Sequence, residues 1–239
     1  MNKLRDRIRK ATSVAPAPLG FGAQSRKKES SLLLLARGEK YSAVAQYIDG
    51  FMATSAKSKP GKEVTDRLVA GTTIDDGRDA VRAAAAAGYD FVVVSEDAPA
   101  SALLEEDVAY LMPAPVDASD ALLRALEPMA LDGLLVAPKA SITVREQLEL
   151  VRLAAFARKP LFVSLDSVPE SADIEVLREV GTVALLLDAS RPAADFEALR
   201  RLIDELPARR RSRERDSIAA TIPSSAPASD DEHDHDHDD

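Results

Sequence analysis

Cysteine and tryptophan are absent from the 239 residues, and the three histidines all fall in the last seven positions, as His233, His235 and His237. Without cysteine there is no disulfide, no thiolate metal site and no thiol nucleophile. Without imidazole before residue 233, Ser-His-Asp triads and histidine-based metal sites are excluded from the bulk of the chain. Aromatic residues amount to 4% against 46% apolar residues. Ala, Leu and Val must therefore build the core, which favours helices and buried parallel strands over a small aromatic-rich β fold. No stretch reaches the roughly 18 apolar residues of a membrane span. The start, Met1-Asn2-Lys3-Leu4-Arg5, lacks the apolar run of a secretory signal. A cytoplasmic protein without a membrane partner is expected. Leu4 and Ile8 lie one helical turn apart among basic residues, but two such side chains bury too little to hold a membrane. A frayed, solvated N-terminus is expected there.

The net charge of -9 is strongly segmented. Residues 1–28 carry +7, residues 29–207 carry -12, the arginine run 209–215 carries +4, and residues 216–239 carry -8. An acidic body with basic flanks and an acidic terminus follows. The expected organisation is a basic flexible lead-in over 1–28, a globular domain over 29–207, and an Arg-rich segment with a disordered Asp/His-rich tail over 208–239. Residues 11–30, with Pro16, Pro18, Gly20 and Gly22, read as a lead-in with no element of its own.

From there a pattern repeats to residue 206. Short apolar runs begin near Leu32, Gly50, Leu68, Phe91, Val108, Gly133, Leu161 and Val183, each about five residues long, as strands buried on both faces should be. Helical patterns lie between them. Asp75-Asp76 can cap an Ala-rich helix that stops at Gly88. Thr143-Val144-Arg145-Glu146 has the form of a capping box opening a helix to about Arg158. Ser171 precedes a helix ending at Gly181, and Pro192 falls in the first turn of the last one. Eight strands alternating with eight helices predict a compact (β/α)8 barrel, in preference to an open doubly wound sheet. The second unit, strand 50–54 with a helix near 62–67, carries the weakest pattern.

Several strand starts look alike: Asp49-Gly50-Phe51, Tyr89-Asp90-Phe91 and Asp132-Gly133-Leu134. The segment Ala87-Gly88-Tyr89-Asp90-Phe91-Val92-Val93-Val94 resembles the helix-to-strand joints of aldolase-type and phosphate-binding TIM barrels, and residues 29–207 resemble a compact bacterial member of that class. The resemblance covers the scaffold and no catalytic motif. It implies an αβ barrel whose ligand sits at the C-terminal ends of the strands.

Those ends offer Arg37, Thr54 with Ser55, Thr72 with Thr73, Glu96 with Asp97, Pro113, Lys139, Asp166, and Asp188 with Arg191. Lys139, desolvated by the barrel wall, would have a lowered pKa and suit a Schiff base with a carbonyl substrate. Glu96, Asp166 and Asp188 would serve as acid–base groups or as oxygen ligands to a divalent metal, the one cofactor class the chain suggests. The competing reading is structural. Asp166 and Asp188 are each followed by residues typical of a helix start, and Lys139 in Pro138-Lys139-Ala140-Ser141 suits an exposed turn. The turns after strands 7 and 8 contain no glycine and each opens with Asp, so a phosphate-binding turn is not expected; Arg191 alone would face an anion. Lys57, Lys59 and Lys62 crowd one loop, which lacks the spacing of a P-loop and reads as a solvated segment.

In the tail, His233, His235 and His237 alternate with carboxylates, a pattern that chelates Zn²⁺, Ni²⁺ or Cu²⁺ weakly and in a pH-dependent way. The arginine run has no aromatic interleaving or RNA-binding motif beside it, so nucleic acid is not the expected partner. Two functions follow. One is a barrel binding a small molecule at the strand C-termini, with lyase- or aldolase-like chemistry. The other is a non-catalytic scaffold whose Asp/His tail binds divalent metal.

Overall fold

The computed structural model describes residues 2–12, 31–56, 60–61, 66–138 and 142–207. Eight short, apolar strands cannot leave either face in water, and they bury both by closing into a ring. They are β1 (Leu33–Arg37), β2 (Gly50–Ala53), β3 (Val69–Ile74), β4 (Phe91–Val94), β5 (Ala109–Pro113), β6 (Gly133–Val136), β7 (Leu161–Leu165) and β8 (Thr182–Asp188). All pairs are parallel, in sequence order, and β8 closes on β1 with Leu33 opposite Ala184 and Arg37 opposite Asp188. The predicted (β/α)8 scaffold is therefore present, with every strand starting within one residue of its apolar run.

Inside the ring, glycine makes room for aromatic rings. A Cβ added at Gly71 would lie 2.0–2.3 Å from three ring carbons of Phe91, and one at Gly133 would lie 2.5 Å from Cε2 of Phe162. Phe91 and Phe162 are fully buried with Leu35, Leu111, Ala184 and Leu186 in the barrel interior. A second apolar layer lies between the strands and the outer helices, including Val92, Tyr110, Leu134, Val163 and Leu185.

The acidic residue before each even strand from β2 to β6 performs one repeated task. Asp49 Oδ2 accepts the Leu34 N–H, Asp90 Oδ2 the Ala70 N–H, and Asp132 Oδ2 the Tyr110 N–H, each at 2.9 Å. Each carboxylate thus ties the start of one strand to the strand before it, which is the physical content of the three similar joints.

The same three aspartates hold a helix that the sequence pattern did not predict. α1 (Lys3–Thr12) is capped by Asn2, whose Oδ1 accepts the Leu4 and Arg5 N–H groups. Its Leu4 is fully buried among the barrel-interior side chains. Arg5 pairs with Asp132 at 2.8 Å, Arg7 with Asp49 at 3.3 Å, and Asn2 Nδ2 donates to the Asp90 carbonyl at 2.6 Å. The expected frayed start is corrected: residues 3–12 close the N-terminal end of the barrel. A one-turn apolar pair is enough because it enters a ready-made opening ringed by acids.

Among the described residues the outer layer holds fewer than eight helices. Among the described residues the further α-helices are α2 (Arg78–Ala87), α3 (Asp120–Leu126), α4 (Val144–Ala157), α5 (Ser171–Glu179) and α6 (Ala193–Glu205). After β1 the chain makes only a 3-10 turn, Ser42–Val44, and after β4 another, Ala100–Leu104. Tyr41 stacks on Phe51, centroids 3.8 Å apart, and so helps cover β2. In the connection after β2, residues 57–59 and 62–65, and with them most of the helix expected near 62–67, lie outside the described residues. α2 begins at Gly77 with no side-chain cap, so Asp75 and Asp76 do not cap it, while Gly88 ends it in the left-handed conformation at φ 99°. The capping box at Thr143 and Glu146 is formed as expected. No described helix is long and apolar enough to cross a membrane.

Asp90 gives a test of the lower ring. Burial raises its pKa, opposed by the Ala70 N–H and by the charge of Lys3. The protonated form is favoured in the folded chain, so this contribution to stability is full below the ordinary aspartate pKa and is lost as pH rises through the raised value. Asp90→Asn keeps an oxygen for Ala70 and is expected to leave urea stability at pH 7 unchanged or higher. Asp132→Asn, which breaks the charge pair with Arg5, should lower it by about 1–2 kcal/mol. Equal losses in both would refute the distinction.

Candidate functional site

Alternation along the strands decides which side chains reach the mouth. On β1, Leu33 and Leu35 point inward; on β7, Phe162; on β8, Ala184 and Leu186. Two residues further along each strand, the same parity delivers Arg37, Ser164 and Asp188. These three, from adjacent strands, form a polar group at the C-terminal rim. Arg37 Nη1 donates to Ser164 Oγ at 3.3 Å, and Arg37 Nη2 lies 3.7 Å from Asp188 Oδ2. Ser164 is buried, whereas the Arg37 side chain keeps 40% of its surface exposed.

Asp188 has a second set of partners. Its Oδ1 accepts the Ser190 hydroxyl at 2.6 Å and the Ser190 N–H at 2.9 Å. These bonds, with a smaller contribution from Arg37, hold the carboxyl below the usual aspartate range despite some desolvation. Asp188 is therefore ionised at neutral pH, with one oxygen given to the turn and the other toward Arg37.

Asp166 follows β7 and is exposed; its carbonyl accepts Arg191 Nη1 at 2.7 Å. Arg191 also binds Asp195 in the first turn of α6 at 2.7 Å, so it ties the loop after β7 to that helix rather than being the free anion contact the sequence suggested. Glu96 and Asp97 occupy the exposed turn after β4, on the far side of the ring from β8. Of the described strand-end candidates, Asp188 alone joins the Arg37 group. Thr73 shares the inward parity of Gly71 and is half-buried, while Thr72 is fully buried on the other face of β3. Lys139 lies outside the described residues, as do Lys57, Lys59, Lys62 and the tail histidines His233, His235 and His237. Among the described residues no group of three or more carboxylates is close enough to hold a metal ion.

Two residues escaped the sequence reading. Ser164 is the one polar residue of β7, at inward parity in Leu161-Phe162-Val163-Ser164-Leu165, and that break in an apolar run was the available signal. Glu39 Oε1 accepts the Thr54 hydroxyl at 2.7 Å and the Thr54 and Ser55 N–H groups at 3.1 and 3.3 Å. It fixes the loop after β2 against the loop after β1, and nothing in its sequence neighbourhood marks it. Beside Ser164, a half-open hollow bounded by Pro138, Ile142, Leu165 and Asp166 has room for about one water molecule.

No protein-family profile and no curated protein matches the chain. Solved structures do match. 3-Keto-L-gulonate-6-phosphate decarboxylase from Vibrio cholerae aligns over 74% of this chain and 99% of its own, with a TM-score of 0.58 and 15% identity. A tryptophan synthase α-subunit variant from Pyrococcus furiosus aligns over 73% and 97%, with a TM-score of 0.53 and 13% identity. Tryptophan synthase from M. tuberculosis aligns over 72% and 91%, with a TM-score of 0.52 and 13% identity. These proteins share with the chain the closed eight-stranded parallel barrel fold. At these identities the likeness extends to the fold alone.

Proposed function

We infer that the barrel binds a small molecule at its mouth, a carboxylate that also carries a hydroxyl or ammonium donor. The observation that carries this reading is Arg37, a half-exposed guanidinium of inward parity at the rim, steadied by Ser164 and Asp188. A guanidinium offers a planar pair of donors to a carboxylate, and the adjacent Asp188 oxygen accepts a hydrogen bond from the same ligand. The carboxylate of Asp188 disfavours a bare phosphate, in keeping with the missing glycine turn. Lys139, Glu96 and Asp166 remain the candidates for lyase- or aldolase-like chemistry, with Lys139 as the amine. The similar scaffolds include a decarboxylase of a sugar phosphate, which supports small-molecule chemistry on such a scaffold and says nothing of the substrate.

The test uses malate, succinate and inorganic phosphate as probes of the full-length protein, read by calorimetry. Malate is expected to bind more tightly than succinate, which lacks the hydroxyl, and than phosphate. Arg37→Met should weaken malate binding about 10- to 100-fold, the equivalent of a charge-assisted hydrogen bond of about 1.5–3 kcal/mol. Absence of binding, or equal binding by the variant, would remove the reading.

The smallness of the hollow beside Ser164 favours a second reading, a non-catalytic scaffold. Its working part would be the Asp/His tail, with His233, His235 and His237 as ligands to a divalent metal. Native mass spectra of the full chain and of a chain ending at Asp216 separate the two. Metal retained by the full chain alone assigns the function to the tail; a small molecule retained by both assigns it to the barrel.

A further inference from the structure

An amphipathic helix on a barrel turns one apolar stripe to the strands and a polar face to water. α4 carries two apolar stripes. Leu150, Leu153 and Ala157 are fully buried against the barrel, and the cap residue Glu146 is nearly so. On the opposite side Val144, Leu148 and Val151 are 74%, 64% and 44% exposed, and Ala155 is exposed as well. Their spacing of four, three and four residues is that of a coiled-coil seam. Among the described residues only one other large apolar side chain, Leu104, is comparably exposed, so three of the four fall on this single line. A row of this kind, with no neighbour among the described residues, is the mark of a contact surface rather than of scattered surface leucines.

The border of the stripe states the sign of the partner. On the side toward α3 lie Arg145 and Arg152, with Arg124 of α3 stacked over Phe156 at 4.9 Å. Arg152 is neutralised by Asp120 at 2.7 Å and Glu149 at 2.8 Å. Arg145 and Arg124 are exposed and form no ion pair with any described residue. On the other side stand the uncharged Gln147 and Ala154. A second copy is therefore a poor occupant. An antiparallel pair of α4 helices brings the arginine edge of one copy against the same edge of the other. A parallel pair sets it against Gln147 and Ala154, with no countercharge.

We propose that the outer face of α4 is the docking surface for an amphipathic helix of another protein, one with an apolar seam and acidic residues along one edge. Val144, Leu148, Val151 and Ala155 receive the seam, and Arg145 and Arg124 meet the acidic edge. The surface lies on the outside of the barrel wall and is independent of the Arg37 site.

The test uses two labelled helical probes of about three heptads, with Leu at both seam positions and either Glu or Lys at the flanks. Binding to the full-length protein is followed by fluorescence anisotropy at low salt. The Glu probe is expected to bind at least tenfold more tightly than the Lys probe, with affinity falling as salt is raised. Leu148→Glu, at an exposed position that leaves the thermal melt unchanged, should lose at least tenfold. The double charge reversal R124E/R145E should invert the preference between probes. Failure of the Glu probe to bind, or equal binding of both probes, overturns the proposal. A wild-type dimer in sedimentation that Leu148→Glu converts to monomer also overturns it, in favour of a second copy.

Discussion

Leu4→Ala is expected to lower stability by about 2–5 kcal/mol, the cost of emptying a buried leucine site. That is the loss expected for a core leucine, at a position four residues from the start of the sequence. The reason is the place Leu4 occupies. It is fully buried among barrel-interior side chains, where Leu33, Val69, Phe91 and Ala109 line the ring. Leu4→Asp should cost more, because it adds an unpaired carboxylate to the acidic ring of Asp49, Asp90 and Asp132. Urea denaturation read by circular dichroism measures both. A loss below about 0.5 kcal/mol for Leu4→Ala would return α1 to the status of a frayed terminus. Arg5 contributes a charge pair to Asp132, and its guanidinium also donates to the Val108 carbonyl at 2.9 Å and the Glu106 carbonyl at 3.1 Å. Arg5→Met therefore removes several contacts at once, but from a side chain 43% exposed, and its effect should be well below that of Leu4→Ala.

Gly71→Ala should destabilise by about 1–3 kcal/mol or more, the usual result of overfilling a packed interior. The added methyl group would stand 2.0–2.3 Å from Cζ, Cε2 and Cε1 of Phe91. Those distances are impossible, and the ring is fully buried with no free side to which it can swing. Phe91→Ala alone should cost about 3–5 kcal/mol by leaving a cavity. The informative variant is the pair Gly71→Ala with Phe91→Leu. If the glycine exists to admit the ring, the double variant is more stable than the sum of its parts implies, with a coupling of about 0.5–3 kcal/mol. Additive losses would show that Gly71 serves some other purpose. A methyl group at Gly133 would stand 2.5 Å from Cε2 of Phe162, and that pair should behave alike.

The strand pattern was legible because a strand buried on both faces must be a short apolar run, whatever its neighbours. The helices were legible where the sequence punctuates them, as at Thr143, Glu146 and Gly88. After β1 and β4 the same alternation predicted helices, yet the chain makes single 3-10 turns. Periodicity cannot distinguish a short helix from a turn when the segment is only a few residues long. α1 was misread for the opposite reason: its local pattern is weak, and its stability comes from an opening formed by distant residues, with Asp49 42 positions from Arg7 and Asp132 127 positions from Arg5.

The mouth was legible in part. Strand-end residues could be named, Asp188 among them, but not their orientation. A slip of one residue exchanges inward and outward positions. Ser164, Arg37 and Asp188 are separated by up to 151 positions in the chain and become neighbours only because β7, β8 and β1 are adjacent in the closed ring. Arg191 had looked like the free cation of this end, and instead it is held by Asp195 and the Asp166 carbonyl.

The amino-acid sequence by itself determined the class of fold: eight buried apolar runs at regular spacing, with no cysteine and few aromatics, leave a parallel barrel as the way to remove all of them from water. It also determined the exclusion of imidazole and thiol chemistry from the barrel. The tertiary structure alone decided which end is closed by α1, which glycines face which rings, and which strand-end charges meet. Closure of the ring brings the first strand beside the last, and the side-chain parity of each strand then selects Arg37, Ser164 and Asp188. Both depend on contacts between distant segments, which no local pattern encodes.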